Sequence, residues 1–131
     1  MTDVDGRYLK PFEALQLGPG DTLIETIGAV EGAVPEGTLS VQTLVVIENL
    51  LVLKVTRVKD LIDNLHKHDD HESVATLISG RLRNVIDGKE FIAEPGATWR
   101  HPPGVVHSSE ALEDCVQIEI KTPPRKTWVT V

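Results

Sequence analysis

Ten glycines and eight prolines are scattered through this chain as punctuation, and they leave few stretches long enough for a helix of ordinary length. A chain cut this way folds most readily as short strands joined by tight turns. Runs rich in Val, Leu and Ile cover residues 22–30, 41–47 and 50–58, and Glu48-Asn49 reads as a hairpin tip between the last two. Residues 73–78 form a further strand that ends at Gly80. Residues 82–86 and 90–93 flank Asp87-Gly88, the strongest short-range hairpin signal in the chain. Residues 98–101, 105–108 and 115–121 complete the set, with Pro102-Pro103-Gly104 as a stiff turn and Pro123-Pro124 closing the sheet region. Only residues 11–17 read as a short helical turn, with Pro11 at its first position and Gly18-Pro19-Gly20 ending it. Many short strands without a long 3.6-residue period predict an all-β sandwich or barrel. Closing a barrel also removes exposed strand edges.

With 131 residues, 40% apolar and 25% charged, the chain has the size and composition of one domain, residues 1–131, with its own core. Acidic residues outnumber basic ones 20 to 13, for a net charge of −7. A field of that sign repels phosphate backbones and anionic lipid, so neither nucleic acid nor a membrane surface is expected as a partner. The single cysteine, Cys115, permits no intrachain disulfide and no thiolate zinc cluster. The acidic start, Met1 to Asp5, has no apolar signal-peptide core, and the longest apolar run, Leu50 to Leu53, cannot span a bilayer. A cytoplasmic protein is the expectation.

All five histidines, His66, His68, His71, His101 and His107, lie between positions 66 and 107. Surface or hydrogen-bonded core histidines are the ordinary reading of any one of them, but their spacing favours a metal. Side chains at i and i+2 share a strand face, so His66 and His68 can point at one ion. Glu72 can supply a carboxylate oxygen, and His107, held by the Pro102-Pro103-Gly104 turn, is the obvious donor from a neighbouring strand. Three imidazoles and a carboxylate suit a divalent transition metal.

The segment His66-Lys67-His68-Asp69-Asp70-His71-Glu72, followed by Gly80, resembles the first motif of the cupin family, HxHxxxE then Gly. The segment from Gly96 to His107 matches the second, Gly-x5-Pro-x-Gly-x2-His, without a gap. The Asp87-Gly88 hairpin has the intermotif length of short bacterial cupins, and Thr122-Pro123-Pro124-Arg125 resembles the end of many small ones. The resemblance covers residues 50–126. It implies a cupin-type jelly-roll barrel (a double-stranded β-helix) with one divalent metal ion, Fe, Zn, Mn or Ni, in its mouth, held by His66, His68, Glu72 and His107. Residues 1–49 then form an N-terminal extension whose spare strands serve a homodimer. Three positions depart from the pattern. Asp60 stands where the first motif usually begins with Gly, and Ala111 where the second often ends in Asn. Seven residues rather than six separate Glu72 from Gly80. That extra residue is either a β-bulge or a turn of Glu72 away from the site with His71 in its place, since neighbouring strand residues point to opposite faces.

The implied function is that of a metalloenzyme acting on a small oxygenated or carboxylated molecule. With Fe or Ni it reads as a dioxygenase, and with Zn or Mn as an isomerase or lyase in which the ion is a Lewis acid. A non-catalytic small-molecule-binding module is the alternative, since cupins host many functions. His101 is a candidate acid/base group at the pocket mouth, beside the blander reading of an exposed turn residue. Arg81, Arg83 and Arg100 are read as solvated strand residues before carboxylate holders. Trp99, Trp128 and Cys115 are read as packing residues.

Overall fold

The computed structural model describes residues 6–131. Eleven strands follow in order: β1 (Ile24–Val30), β2 (Leu39–Ile47), β3 (Leu50–Arg57), β4 (Ile62–His66), β5 (Glu72–Ser79), β6 (Leu82–Ile86), β7 (Lys89–Ala93), β8 (Thr98–His101), β9 (His107–Ala111), β10 (Cys115–Thr122) and β11 (Trp128–Thr130). They form two antiparallel sheets, one of seven strands in the order β11-β1-β2-β3-β10-β5-β8 and one of four in the order β4-β9-β6-β7. Leu39, Val41, Leu53 and Leu77 of the large sheet and Leu82, Ala93 and Ala111 of the small one share a single buried apolar cluster. This is the all-β, two-sheet arrangement that the strand pattern predicts, in the jelly-roll form that the resemblance implies.

The turn chemistry follows the sequence closely. Asp87 and Gly88 both have positive φ, 52° and 74°, as a two-residue hairpin requires, and β6 pairs with β7 from Ile86↔Lys89 to Leu82↔Ala93. Gly80, at φ +93°, admits no side chain: a Cβ would lie 2.2 Å from the Asp114 carbonyl oxygen. Asp60 occupies the left-handed region, φ 75°, which explains why a glycine suits that position. Asp60→Gly is therefore expected to stabilise the fold by about 1 kcal/mol, read as a raised denaturation midpoint in urea.

Among the described residues there is no helix, and the turn predicted over 11–17 is not formed. Seven residues are too few to repay helix nucleation without packing, and Leu15 is fully exposed. The backbone finds a partner elsewhere, because Phe12 N–H donates to the Val46 carbonyl at 2.9 Å and fixes the segment alongside β2. Among the described residues no helix is long and apolar enough to cross a membrane.

β10 runs between β3 and β5 with its apparent polarity inverted. Val116, Ile118 and Ile120 look like its core face. They face outward instead, while Cys115, Gln117, Glu119 and Lys121 are buried. A central strand that turns its polar residues inward indicates an interior with something polar to hold.

Candidate metal centre

Strand pairing brings the first two histidines together. His66 ends β4 and His107 begins β9, directly opposite each other in the register, with ring centroids 4.4 Å apart. His68 lies beyond the end of β4, so it shares no strand face with His66. The loop turns its ring inward instead, to 5.1 Å from His66 and 5.0 Å from His107. The Pro102-Pro103-Gly104 turn secures this loop as well as His107, since Gly104 N–H donates to the His68 carbonyl at 2.7 Å. All three side chains are buried, and one ring nitrogen from each lies within 4.8 Å of the other two.

The remaining nitrogens determine the tautomers. His66 Nδ1–H donates to the Asn64 carbonyl at 2.7 Å, His68 Nδ1–H to Glu31 Oε2 at 3.3 Å, and His107 Nδ1–H to the Val105 carbonyl at 3.4 Å. None of these partners can donate, so each Nδ1 carries the proton and Nε2 keeps its lone pair. Burial pushes His68 far below the ordinary histidine pKa, with the Lys121 charge adding to the effect, and pushes His107 down to about 3. Three imidazoles whose Nδ1 atoms are so anchored, leaving Nε2 to converge, form a donor set that fits a divalent transition metal.

The structure does not bring Glu72 to this set. Its carboxylate pairs with Arg100 on the outer face of β5. His71, just before the strand, turns inward to 4.6 Å from the His68 ring, but it is outside the convergent set. Its Nδ1–H donates to Asp70 at 2.8 Å, and its Nε2 has only a long contact, 3.5 Å, with Lys121 Nζ. With six residues, 74–79, intervening before Gly80, the motif position falls on Ser73, and Ser73 is the residue that points inward on β5. The extra residue is thus absorbed before the strand begins. Ser73 Oγ accepts from Lys121 Nζ at 3.0 Å, so a hydroxyl and an ammonium stand where the motif leads one to expect a carboxylate.

Between the sheets lies an empty space of about 430 Å³, counted with its opening to solvent. It is lined by the apolar Val30, Val41, Leu53, Val55 and Trp128 and by the polar His66, His68, His107, His101, Arg57, Asp63, Glu119 and Lys121, with Leu53 directly beside Glu119 in the register. The charged residues are linked in series. Arg57 donates to Asp63 (3.4 Å), Ser109 (3.2 Å) and Gln117 (3.0 Å), Gln117 donates to Glu119 (3.1 Å), and Lys121 pairs with Glu119 at 2.8 Å. His101 is buried rather than exposed, and it stacks on His107 at 3.7 Å with ring planes 3° apart. Burial pushes its pKa down to about 4, and its Nδ1 has no hydrogen-bond partner among the described residues.

A second set of contacts reaches the site from the N-terminal segment. Arg7 pairs with Glu31 at 2.6 Å and grips Asp70 with two bonds, at 2.9 and 3.0 Å. Glu31 holds His68 and Asp70 holds His71, so one guanidinium braces the carboxylates behind two site histidines. The Arg7 hydrogen bonds hold the Asp70 carboxyl well below the usual carboxylate range. Arg7→Ala is expected to weaken metal binding about tenfold, with Arg7→Lys intermediate, when affinities are measured by competition with a chromophoric chelator.

The other residues weighed from the sequence fall where the blander reading put them. Arg81, Arg83 and Arg100 pair with surface carboxylates. Trp99 packs edge-on against Phe91, and Cys115 is buried with its thiol donating to backbone carbonyls. Trp128 packs too, but against the site cavity. Sequence reasoning missed Arg57, Asp63, Glu119, Lys121 and the Arg7–Glu31 pair. The Gln-x-Glu-x-Lys alternation on β10 carried a signal, but the intervening Val and Ile residues hid it by looking like the core.

No family model matches the chain. The pectin degradation protein KdgF of Dickeya dadantii is 28% identical to it over 83 residues, which cover 63% of this chain and 76% of that protein. An RmlC-like cupin from Shewanella frigidimarina superposes with a TM-score of 0.73 at 23% identity, over 88% of this chain and 95% of the other. KdgF from a Halomonas species gives 0.65 at 20% identity, over 67% and 81%. These likenesses show the fold: the chain has the two-sheet jelly-roll fold of the cupins, with a histidine triad between its sheets.

Proposed function

We propose that this cupin-fold protein binds one divalent transition metal ion through His66, His68 and His107 and acts on a small oxygenated or carboxylated molecule as an isomerase or lyase. The observation that carries this reading is the convergence of three ring nitrogens within 4.8 Å, each ring anchored through its other nitrogen. When bound, Fe, Zn, Mn or Ni would act as a Lewis acid toward a carbonyl or enolate oxygen. The chain supplies the rest. His101, uncharged and with Nδ1 unpartnered, can take or give a proton inside the cavity. The apolar lining residues, Val30, Val41, Leu53, Val55 and Trp128, limit water in the cavity. The likeness to a pectin degradation protein favours a sugar-derived acid over a dioxygenase substrate.

Two measurements test the reading. Protein purified without chelator is expected to hold close to one metal per chain by elemental analysis. The loaded protein, incubated in D2O with small hydroxy and sugar acids, is expected to incorporate deuterium next to a carbonyl, seen by NMR. Oxygen uptake without deuterium incorporation would favour the dioxygenase. Tight binding without turnover would favour the binding module. Protein that neither holds nor takes up metal would overturn the proposal.

We also propose a homodimer. Ile120 lies between Val52 and Val74 in the register, and this row, with Val116 and Ile118, makes an apolar strip on the outer face of the large sheet. A second copy of the same face would cover it. Ile120→Glu is expected to give a monomer in light scattering, while wild-type protein at 14.4 kDa per chain runs at twice that mass.

A further inference from the structure

We infer that Lys121 is the residue that recognises the anionic end of the ligand in this cavity, and that the ligand class is a small hydroxylated carboxylate. The inference rests on the proposed metal site and begins from its charge. The charged side chains lining the cavity are Arg57 and Lys121 against Asp63 and Glu119, so they cancel. With Glu72 turned outward, no carboxylate stands in the triad to offset a divalent ion. A doubly positive buried site requires a negative ligand to compensate it.

Lys121 is placed to choose that ligand. It is 2% exposed and projects inward from β10, into the same cavity as the triad. Two of its three N–H donors are well used, by Glu119 at 2.8 Å and Ser73 at 3.0 Å. The third reaches only the His71 ring at 3.5 Å, too long for a strong bond. That donor is the one available to an incoming carboxylate. Two further buried atoms in the cavity lack hydrogen-bond partners among the described residues, Asp63 Oδ1 and His101 Nδ1. An anion alone leaves both unsatisfied, whereas a ligand that also carries a hydroxyl can use them. Leu53, beside Glu119 in the register, with Val55 and Val41 next to it, offers an apolar surface that suits the carbon skeleton.

The test is anion titration of Co(II)-loaded protein, followed by calorimetry and by the cobalt absorption bands. On the wild-type protein, acetate is expected to bind at least tenfold tighter than its neutral isostere acetamide, and glycolate tighter than acetate. Equal binding of acetate and acetamide overturns the assignment without any variant. In the Lys121→Met/Glu119→Gln pair, which leaves no unpaired buried charge, acetate affinity is expected to fall about tenfold or more while Co(II) affinity stays within a few-fold. Lys121→Met alone is expected to bind Co(II) at least as tightly as wild type, because a neighbouring positive charge is removed, and a merely structural lysine would instead weaken metal and anion together. Unchanged acetate affinity in the double variant refutes the role of Lys121. A wild-type protein that takes up no Co(II) refutes the metal site itself, which is a different result.

Discussion

Alanine at His66, His68 or His107 is expected to strip nearly all metal from the protein, whereas Glu72→Gln is expected to leave it in place. Each histidine supplies one of only three convergent nitrogens. Removing a direct donor should exceed the roughly ten- to hundredfold loss that follows from disturbing an outer partner. Glu72 pairs with Arg100 on the far side of β5, so its amide costs one solvated ion pair. His71→Ala is the informative intermediate. It removes a ring that touches His68 and links Lys121 to Asp70, but it leaves the triad intact. Metal affinity should fall less than tenfold, with the fold retained. Elemental analysis of the five variants after identical chelator-free purification decides the matter. Metal lost from Glu72→Gln and kept by the histidine variants would refute the arrangement.

The contrast between Glu72 and Ser73 shows where the sequence was legible. Turns were readable because their chemistry is local: Asp87-Gly88 adopts the positive φ pair that such residues favour, and Gly80 is required by a carbonyl oxygen 2.2 Å from its missing Cβ. His66 and His107 were readable as partners because histidines so spaced rarely serve packing alone. Register was not readable, because one residue absorbed in a loop reverses every side chain that follows. The motif count pointed to Glu72, and the chain takes up the extra residue before β5 and turns Ser73 inward. The polar face of β10 was hidden for a different reason. Alternation reveals two faces without saying which is buried, and the Val and Ile face resembles core until the neighbouring strands show otherwise. The segment over 11–17 carried helix-compatible residues, but the decisive contact, Phe12 to Val46, spans 34 residues and leaves no local trace. Likewise, nothing near Arg7 in the chain announces that it braces Glu31 and Asp70.

Metal-free protein is expected to lose stability steeply as the pH falls from about 6.5 toward 4, well before its buried carboxylate protonates. In the unfolded chain His101 and His107 would titrate near 6.5, whereas in the folded protein burial pushes them down to about 4 and about 3. Below 6.5 the unfolded state therefore binds protons that the folded state refuses, and the equilibrium shifts toward unfolding by up to about 1.4 kcal/mol per pH unit for each group. At about pH 5 the two stacked rings, which titrate as a pair, together cost roughly 3–4 kcal/mol, a large share of the 5–15 kcal/mol that holds a typical domain. Glu119 acts in a different window. Burial alone would raise its pKa, yet the Lys121 ammonium holds it down to about 2, so its contribution is present above about 4.5 and fades only between there and 2. Urea midpoints of chelator-treated protein between about pH 7.5 and 4.5 should follow the histidine slope, and His101→Phe should make that slope shallower. An ion on the triad competes with protons for the same Nε2 lone pairs, so loaded protein should hold its midpoint to lower pH and then drop as the metal leaves. A midpoint that stays flat from pH 7 to 5 without metal would mean that the rings accept protons in the folded state, and the effect of burial on them would be refuted.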